Sequence, residues 1–318
     1  MLYRLCLALV VAAGSALAQA APPDAWRSEW SQTDFSNSAI GDWTEIISGG
    51  PPKDGIPAIT SPDMIAVAQE ARLSPREPVM AYAGRAYPIR YLMWHEIVND
   101  HADGRPIAVT FCPLCNTGIV FDRSAADTVL EFGVTGKLRH SDMIMFDRQT
   151  ESWWQQATGE AIVGALTGTE LRPLPALMQS WQAFRDEHPD GVVMDAPDTA
   201  RRYGTNPYAG YDSAPRPFLY SGEAPPHGIA PLARVVRVGD RAWPLTRLRD
   251  AGRVEEAGLT LNWAEGQASA LDTGVLAEGR EVGDIRVTDE AGEPVAFDIP
   301  FAFAFDAFHP DGTWMLGD

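Results

Sequence analysis

The chain has 318 residues, with 43 acidic against 25 basic side chains and a formal charge of −18. Such a balance repels nucleic acid and anionic membrane, so neither is an expected partner, and the length allows two domains. Three cysteines accompany 28 glycines and 25 prolines, a composition of short strands and turns. The expected fold is α+β and predominantly β, with a few short helices.

Met1 to Ala20 has one early cation, Arg4, an apolar run from Leu5 to Ala13, and small residues at Ala16, Ala18 and Ala20. That is the pattern of a secretory signal peptide. Cleavage there removes Cys6 and delivers a secreted, periplasmic protein. No later stretch is apolar for long enough to span a bilayer.

Residues 21–60 read as an N-terminal arm. Its run from Gly49 to Pro57, with Pro51, Pro52 and Gly55 inside it, excludes helix and central strand and predicts a rigid loop laid over something else. A first structural unit is expected over 61–196. It opens with a helix predicted from Asp63 to Ala71, capped by Ser61 with Pro62 in the first turn. A hairpin follows over Val79–Ile89 about Ala83-Gly84. A second short helix is predicted to start after Pro88 and end near Asn99, followed by a turn at His101–Gly104.

Next comes Ile107-Ala108-Val109-Thr110-Phe111-Cys112, which alternates as a half-buried strand does. Pro113 and Leu114 lead to Cys115, and Ile119-Val120-Phe121 starts the return strand. Two thiols in Cys-x-x-Cys spacing can form a disulfide, hold a soft metal or exchange disulfides. A disulfide closing so short a loop stabilises by only about 2 kcal/mol in the chain-entropy model. No helix follows Cys115, which argues against a thioredoxin-like scaffold. The tight connection from the preceding helix puts His95 and Glu96 within reach of the thiols. Two thiolates and an imidazole are a ligand set for copper(I) or zinc, copper(I) being favoured in an exported protein. His95 is expected about 5 Å or less from a sulfur, as a shared metal at normal bond lengths requires.

Ile119–Arg123 is echoed by Ile144–Arg148, each a strand ending in Asp-Arg. Between them Lys137, Arg139 and His140 cluster. His140 is a further candidate ligand, Lys137 and Arg139 suit an anion, and Asp122 is a candidate to support a ligand from behind. Met178–His188 reads as an amphipathic helix with Trp181 and Phe184 on its apolar side, ending at His188-Pro189-Asp190-Gly191. A Pro-, Gly- and Tyr-rich linker covers 197–232.

Residues 233–318 repeat the anchors of 61–196. Gly84-Arg85-Ala86-Tyr87-Pro88 is matched by Asp240-Arg241-Ala242-Trp243-Pro244, and His188-Pro189-Asp190-Gly191 by His309-Pro310-Asp311-Gly312. Ala251-Gly252 stands where His95-Glu96 would, and Ala264–Gln267 where the dithiol would. The expectation is an internal duplication: two related β-rich halves, of which only the first keeps reactive residues.

Five motifs together resemble the bacterial and archaeal domain-of-unknown-function family 3179: Gly49–Pro57, Trp94–Asp100, Phe111–Cys115, Gly136–Arg139 and Thr158–Ile162. The resemblance implies no particular reaction. The residues themselves suggest a soft-metal site at Cys112, Cys115 and His95, with His140 or Glu96 added. The alternatives are a thiol-disulfide oxidoreductase using Cys112 and Cys115, or a ligand-binding protein with a structural disulfide. No nucleotide cofactor is indicated.

Overall fold

A computed structural model describes residues 21–317. It is 35% strand and 16% helical. Five helices occur among these residues: α1 (Asp24–Glu29), α2 (Ile89–His95), α3 (Trp181–Glu187), α4 (Leu245–Ala251) and α5 (Ala302–Phe308). None is long and apolar enough to cross a membrane. The signal-peptide reading lies outside the described residues.

The strands form five sheets of three to five strands and a two-stranded ribbon, in a five-bladed, propeller-like arrangement. Two sheets carry the site. In one, Ile97–Ala102, Arg105–Cys112 and Thr117–Asp122 run as an antiparallel meander, with Ile97 opposite Thr110 and Cys112 opposite Thr117. In the other, Phe132–Arg139 and Asp142–Asp147 form a hairpin. Its turn residues His140 and Ser141 both have positive φ, 51° and 66°. Two positive φ values in succession match the twist of the paired strands.

The hairpin about Ala83-Gly84 forms as expected, between Pro78–Tyr82 and Arg85–Pro88. Three helix expectations are corrected, each by strand pairing that overrides local propensity. Met64–Ala66 is a strand paired with Val192–Met194, followed by a single 3-10 turn, so no helix spans Asp63–Ala71. Helix α2 stops at His95, because Ile97 and Val98 are drawn into the meander. Helix α3 begins at Trp181, because Leu177–Ser180 pairs with Pro78–Ala81. Ser180 caps it, its hydroxyl accepting from the Ala183 N–H. Trp181 and Phe184 are buried, as the amphipathic pattern requires.

The arm is not featureless. Trp30, Phe35, Trp43 and Ile46 pack with Ile144, Phe146 and Trp153 into a core of their own. Its Gly-Pro run lies over the hairpin: Gly49 N–H donates to Gly136 O and Asp54 N–H to Val134 O. Gly136 has φ of 71°, and a Cβ there would sit 2.0 Å from Pro51 O, so only glycine fits.

Residues 235–289 repeat a local order. The hairpin Val235–Val238/Arg241–Pro244 leads into α4, then into Arg253–Glu256, Leu259–Ala264 and Asp284–Asp289 as an antiparallel meander. After α3, Val192 pairs in parallel with Arg85; after α5, Thr313 pairs in parallel with Arg241. One hydrophobic core draws on both halves, including Met80, Val109, Cys115, Leu271 and Phe301, while Val236, Trp243, Leu261 and Ile285 form a separate core of the second half.

Candidate thiol–carboxylate site

Cys112 ends its strand and Cys115 sits in the turn that follows, with Asn116 at φ of 55° closing it. The turn is held from three sides. Phe301 N–H donates to Cys115 O at 2.8 Å, Asn116 Nδ2 donates to Ile299 O at 2.6 Å, and the Tyr211 hydroxyl donates to Leu114 O at 2.9 Å. The second half and the linker thus fix the dithiol. Both thiols are free and essentially inaccessible.

Opposite them stands the His140–Ser141 hairpin tip. Ser141 O lies 3.8 Å from Cys112 Sγ, and His140 O lies 4.0 Å from Cys115 Sγ. Asp142, the next residue, is fully buried. Ligating atoms of Cys112, Cys115 and Asp142 all lie within 4.8 Å of one another. Asp142 Oδ1 accepts from Gln155 Nε2 at 2.7 Å and Ala157 N–H at 2.9 Å. The Thr117 hydroxyl is 3.2 Å from Oδ2 but only 2.6 Å from Gln156 Oε1. Its single proton goes to the nearer acceptor, which leaves Oδ2 for the thiols.

Electrostatics follow from burial. Desolvation raises the Cys112 thiol and raises Cys115 further. It lifts Asp142 to about 6, and with the Asp142 charge it lifts Glu96 to about 8. Among the described residues, no ion pair includes Asp142 or Glu96. Four acids therefore converge without a basic partner.

The other candidate residues are placed as follows. His95 is not in the cluster: Nδ1–H donates to Pro57 O at 2.7 Å, and Nε2 accepts from the Tyr203 hydroxyl at 2.7 Å. With both nitrogens engaged, its imidazole orders the arm and linker against α2, and burial holds its pKa below the ordinary value. The expected His95–thiol pairing is corrected accordingly. His140 directs its ring to Phe308 and Glu45, and only its carbonyl faces the thiols. Arg139 pairs with Glu45 at 2.8 Å. Lys137 pairs with Glu29 at 3.2 Å and lies over Trp26. Asp122 is remote from the thiols: despite its burial, the Ser124 N–H, Arg105 and Arg172 hold it at about 2.

Glu96 caps the C-terminus of α2 with φ of 59° and lines a cavity of about 540 Å³ together with Cys112, Lys137, Tyr208 and Tyr211. Asp142 and Tyr208 escaped the sequence reading. The available signal for Asp142 was an acid opening the strand Asp142–Asp147, directly before the apolar run Met143–Phe146.

No curated protein and no solved structure matches the chain. The family described as "Protein of unknown function (DUF3179)" matches residues 53–312, most of the length. The dithiol turn, the hairpin tip carrying Asp142 and the strand behind Glu96 all lie inside that match, and the chain belongs to the DUF3179 family.

Proposed function

We propose that Cys112, Cys115 and Asp142 bind one soft or borderline metal ion. The supporting observation is the convergence of two free thiols and a carboxylate within 4.8 Å, buried and without a basic partner. Without a cation, burial keeps the two thiols protonated. A bound cation reverses that preference and releases their protons. Asp142 in place of an imidazole changes the choice of metal. Copper(I) is satisfied by two thiolates alone, whereas a carboxylate oxygen beside two sulfurs is a zinc set with an open fourth position. Zinc is thus the preferred ion and copper(I) the second. The test is competitive titration of the fully reduced protein with zinc and with copper(I). One equivalent should bind, Cys112→Ser should abolish binding, and Asp142→Asn should weaken zinc tenfold or more while sparing copper(I). Reduced, folded protein that takes up neither ion would overturn this reading.

A second reading rests on the asymmetry of the thiols. Cys112 lines the cavity and Cys115 does not. In a thiol-disulfide oxidoreductase, the Cys112 thiolate would attack a substrate disulfide, forming one S–S bond and expelling one substrate thiolate. The Cys115 thiolate would then attack Cys112 Sγ and expel the second. Two electrons pass to the substrate, and the protein keeps the disulfide. A mixed disulfide trapped by Cys115→Ser, in protein that binds no metal, would favour this reading.

We also infer export through Met1–Ala20 and descent of the two halves from one duplicated unit. The matched hairpin–helix–meander order and the paired His-Pro-Asp-Gly turns support the duplication.

A further inference from the structure

We propose that the cavity beside Cys112 binds a small organic cation, an ammonium group on an apolar body, with the Glu96 carboxylate as its counter-ion. The inference does not rest on a metal at the thiols, since Glu96 lies outside the cluster of Cys112, Cys115 and Asp142.

The first observation is Glu96 itself. It is 8% exposed, it lines the cavity, and among the described residues no hydrogen bond or ion pair reaches its carboxyl group. A buried carboxyl group without a partner is costly and calls for one.

A second observation is the backbone beneath it. Glu96 holds φ of 59° and ψ of −32°. At the matching place after α4, Gly252 holds φ of 71° and ψ of −35°. The local geometry suits glycine, yet the cavity side presents an acid.

The third observation is what surrounds the carboxyl group. The ionisable groups close to it, Asp142, Cys112 and Tyr208, are all acids. Lys137 lines the wall, but its ammonium pairs with Glu29 and lies 5.5 Å from the centre of the Trp26 ring. Among the described residues that line the cavity, no free cation is thereby supplied. Tyr208, Tyr211 and Phe218 give aromatic walls, and Ile56, Val134 and Leu138 an apolar one. Aromatic faces beside one carboxylate are the chemistry that recognises an alkylammonium group. A volume of about 540 Å³ suits a molecule of modest size. Phe218, 59% exposed, stands at the mouth, where an apolar body would cover it.

The test is calorimetric titration of the full, reduced chain in chelator-containing buffer, with 3-phenylpropylamine, 3-phenylpropanol and 3-phenylpropanoate as probes. The amine should bind at least tenfold more tightly than either isostere. Glu96→Gln should remove that preference while leaving the weak alcohol binding unchanged. Glu96→Gly, which matches the backbone of its counterpart, should remain folded and lose the preference as well. Equal binding of amine and alcohol, no amine binding by folded wild-type protein, or an amine preference that survives both substitutions would overturn the proposal.

Discussion

Glu96 adopts a left-handed conformation that a side chain tolerates at a cost of roughly 1–3 kcal/mol. Replacement by glycine removes that strain and the unpartnered buried carboxyl group. It also gives back about 0.5–1 kcal/mol through the freer unfolded chain. Glu96→Gly is therefore expected to stabilise the ligand-free protein by about 1 kcal/mol, the strain relief exceeding the entropic loss. Urea denaturation with unchanged slope would show it as a higher midpoint. A lower midpoint would mean that the Glu96 side chain makes favourable contacts that outweigh its strain. The same scale separates the histidines. His95 has both ring nitrogens held, by a carbonyl and a hydroxyl, whereas the His140 ring packs on Phe308 with its Nε2 3.6 Å from Glu45.

At the scale of elements, both His-Pro-Asp-Gly turns end a short helix and deliver a strand parallel to the first hairpin. The glycine is required where the turn closes. A Cβ on Gly312 would lie 2.8 Å from His309 O, and one on Gly191 would lie 2.8 Å from Gly84 O. In the second turn the His309 ring stacks on Phe305 at 5.3 Å. Burial, with the nearby Arg237 charge, lowers its pKa from 6.5 to about 4, against a smaller opposing effect of Asp240. The folded state then binds fewer protons than the unfolded state between these values. Its contribution to stability is complete above pH 6.5 and is lost as pH falls toward 4. His309→Gln should lose less stability than wild type between pH 7 and pH 4, measured by Tm across that range. Parallel profiles for the two proteins would contradict this account.

At the scale of the molecule, the segment 197–232 works as a clamp. Asp212, 4% exposed, accepts from Arg234 at 3.0 Å, pairs with Arg280 at 3.0 Å and accepts from the Ser269 hydroxyl. Tyr203 and Tyr211 from the same segment reach His95 and the dithiol turn. Asp212→Ala leaves the buried Arg234 without its carboxylate and should cost about 3–5 kcal/mol. Because the largest core draws side chains from both halves, that loss should appear as a lower midpoint of a single transition, not as a separate early melting of residues 233–317. Two resolved transitions, or a loss below about 1 kcal/mol, would argue that the halves are stabilised independently.

The sequence by itself determined the strand–turn–strand around Cys112 and Cys115, the Ala83-Gly84 hairpin, the loop of the arm laid over a neighbour, and the buried face of Trp181 and Phe184. Each is a local pattern, set by alternation, turn residues or helical spacing. It also showed Gly252 in the place of Glu96, the clue to the strained backbone. The tertiary structure alone decided where helices yield to strands, because Ile65, Ile97 and Met178 gain partners distant in sequence. It alone brought Asp142 rather than His95 to the thiols. A hairpin tip and a dithiol turn meet only once their two sheets have packed.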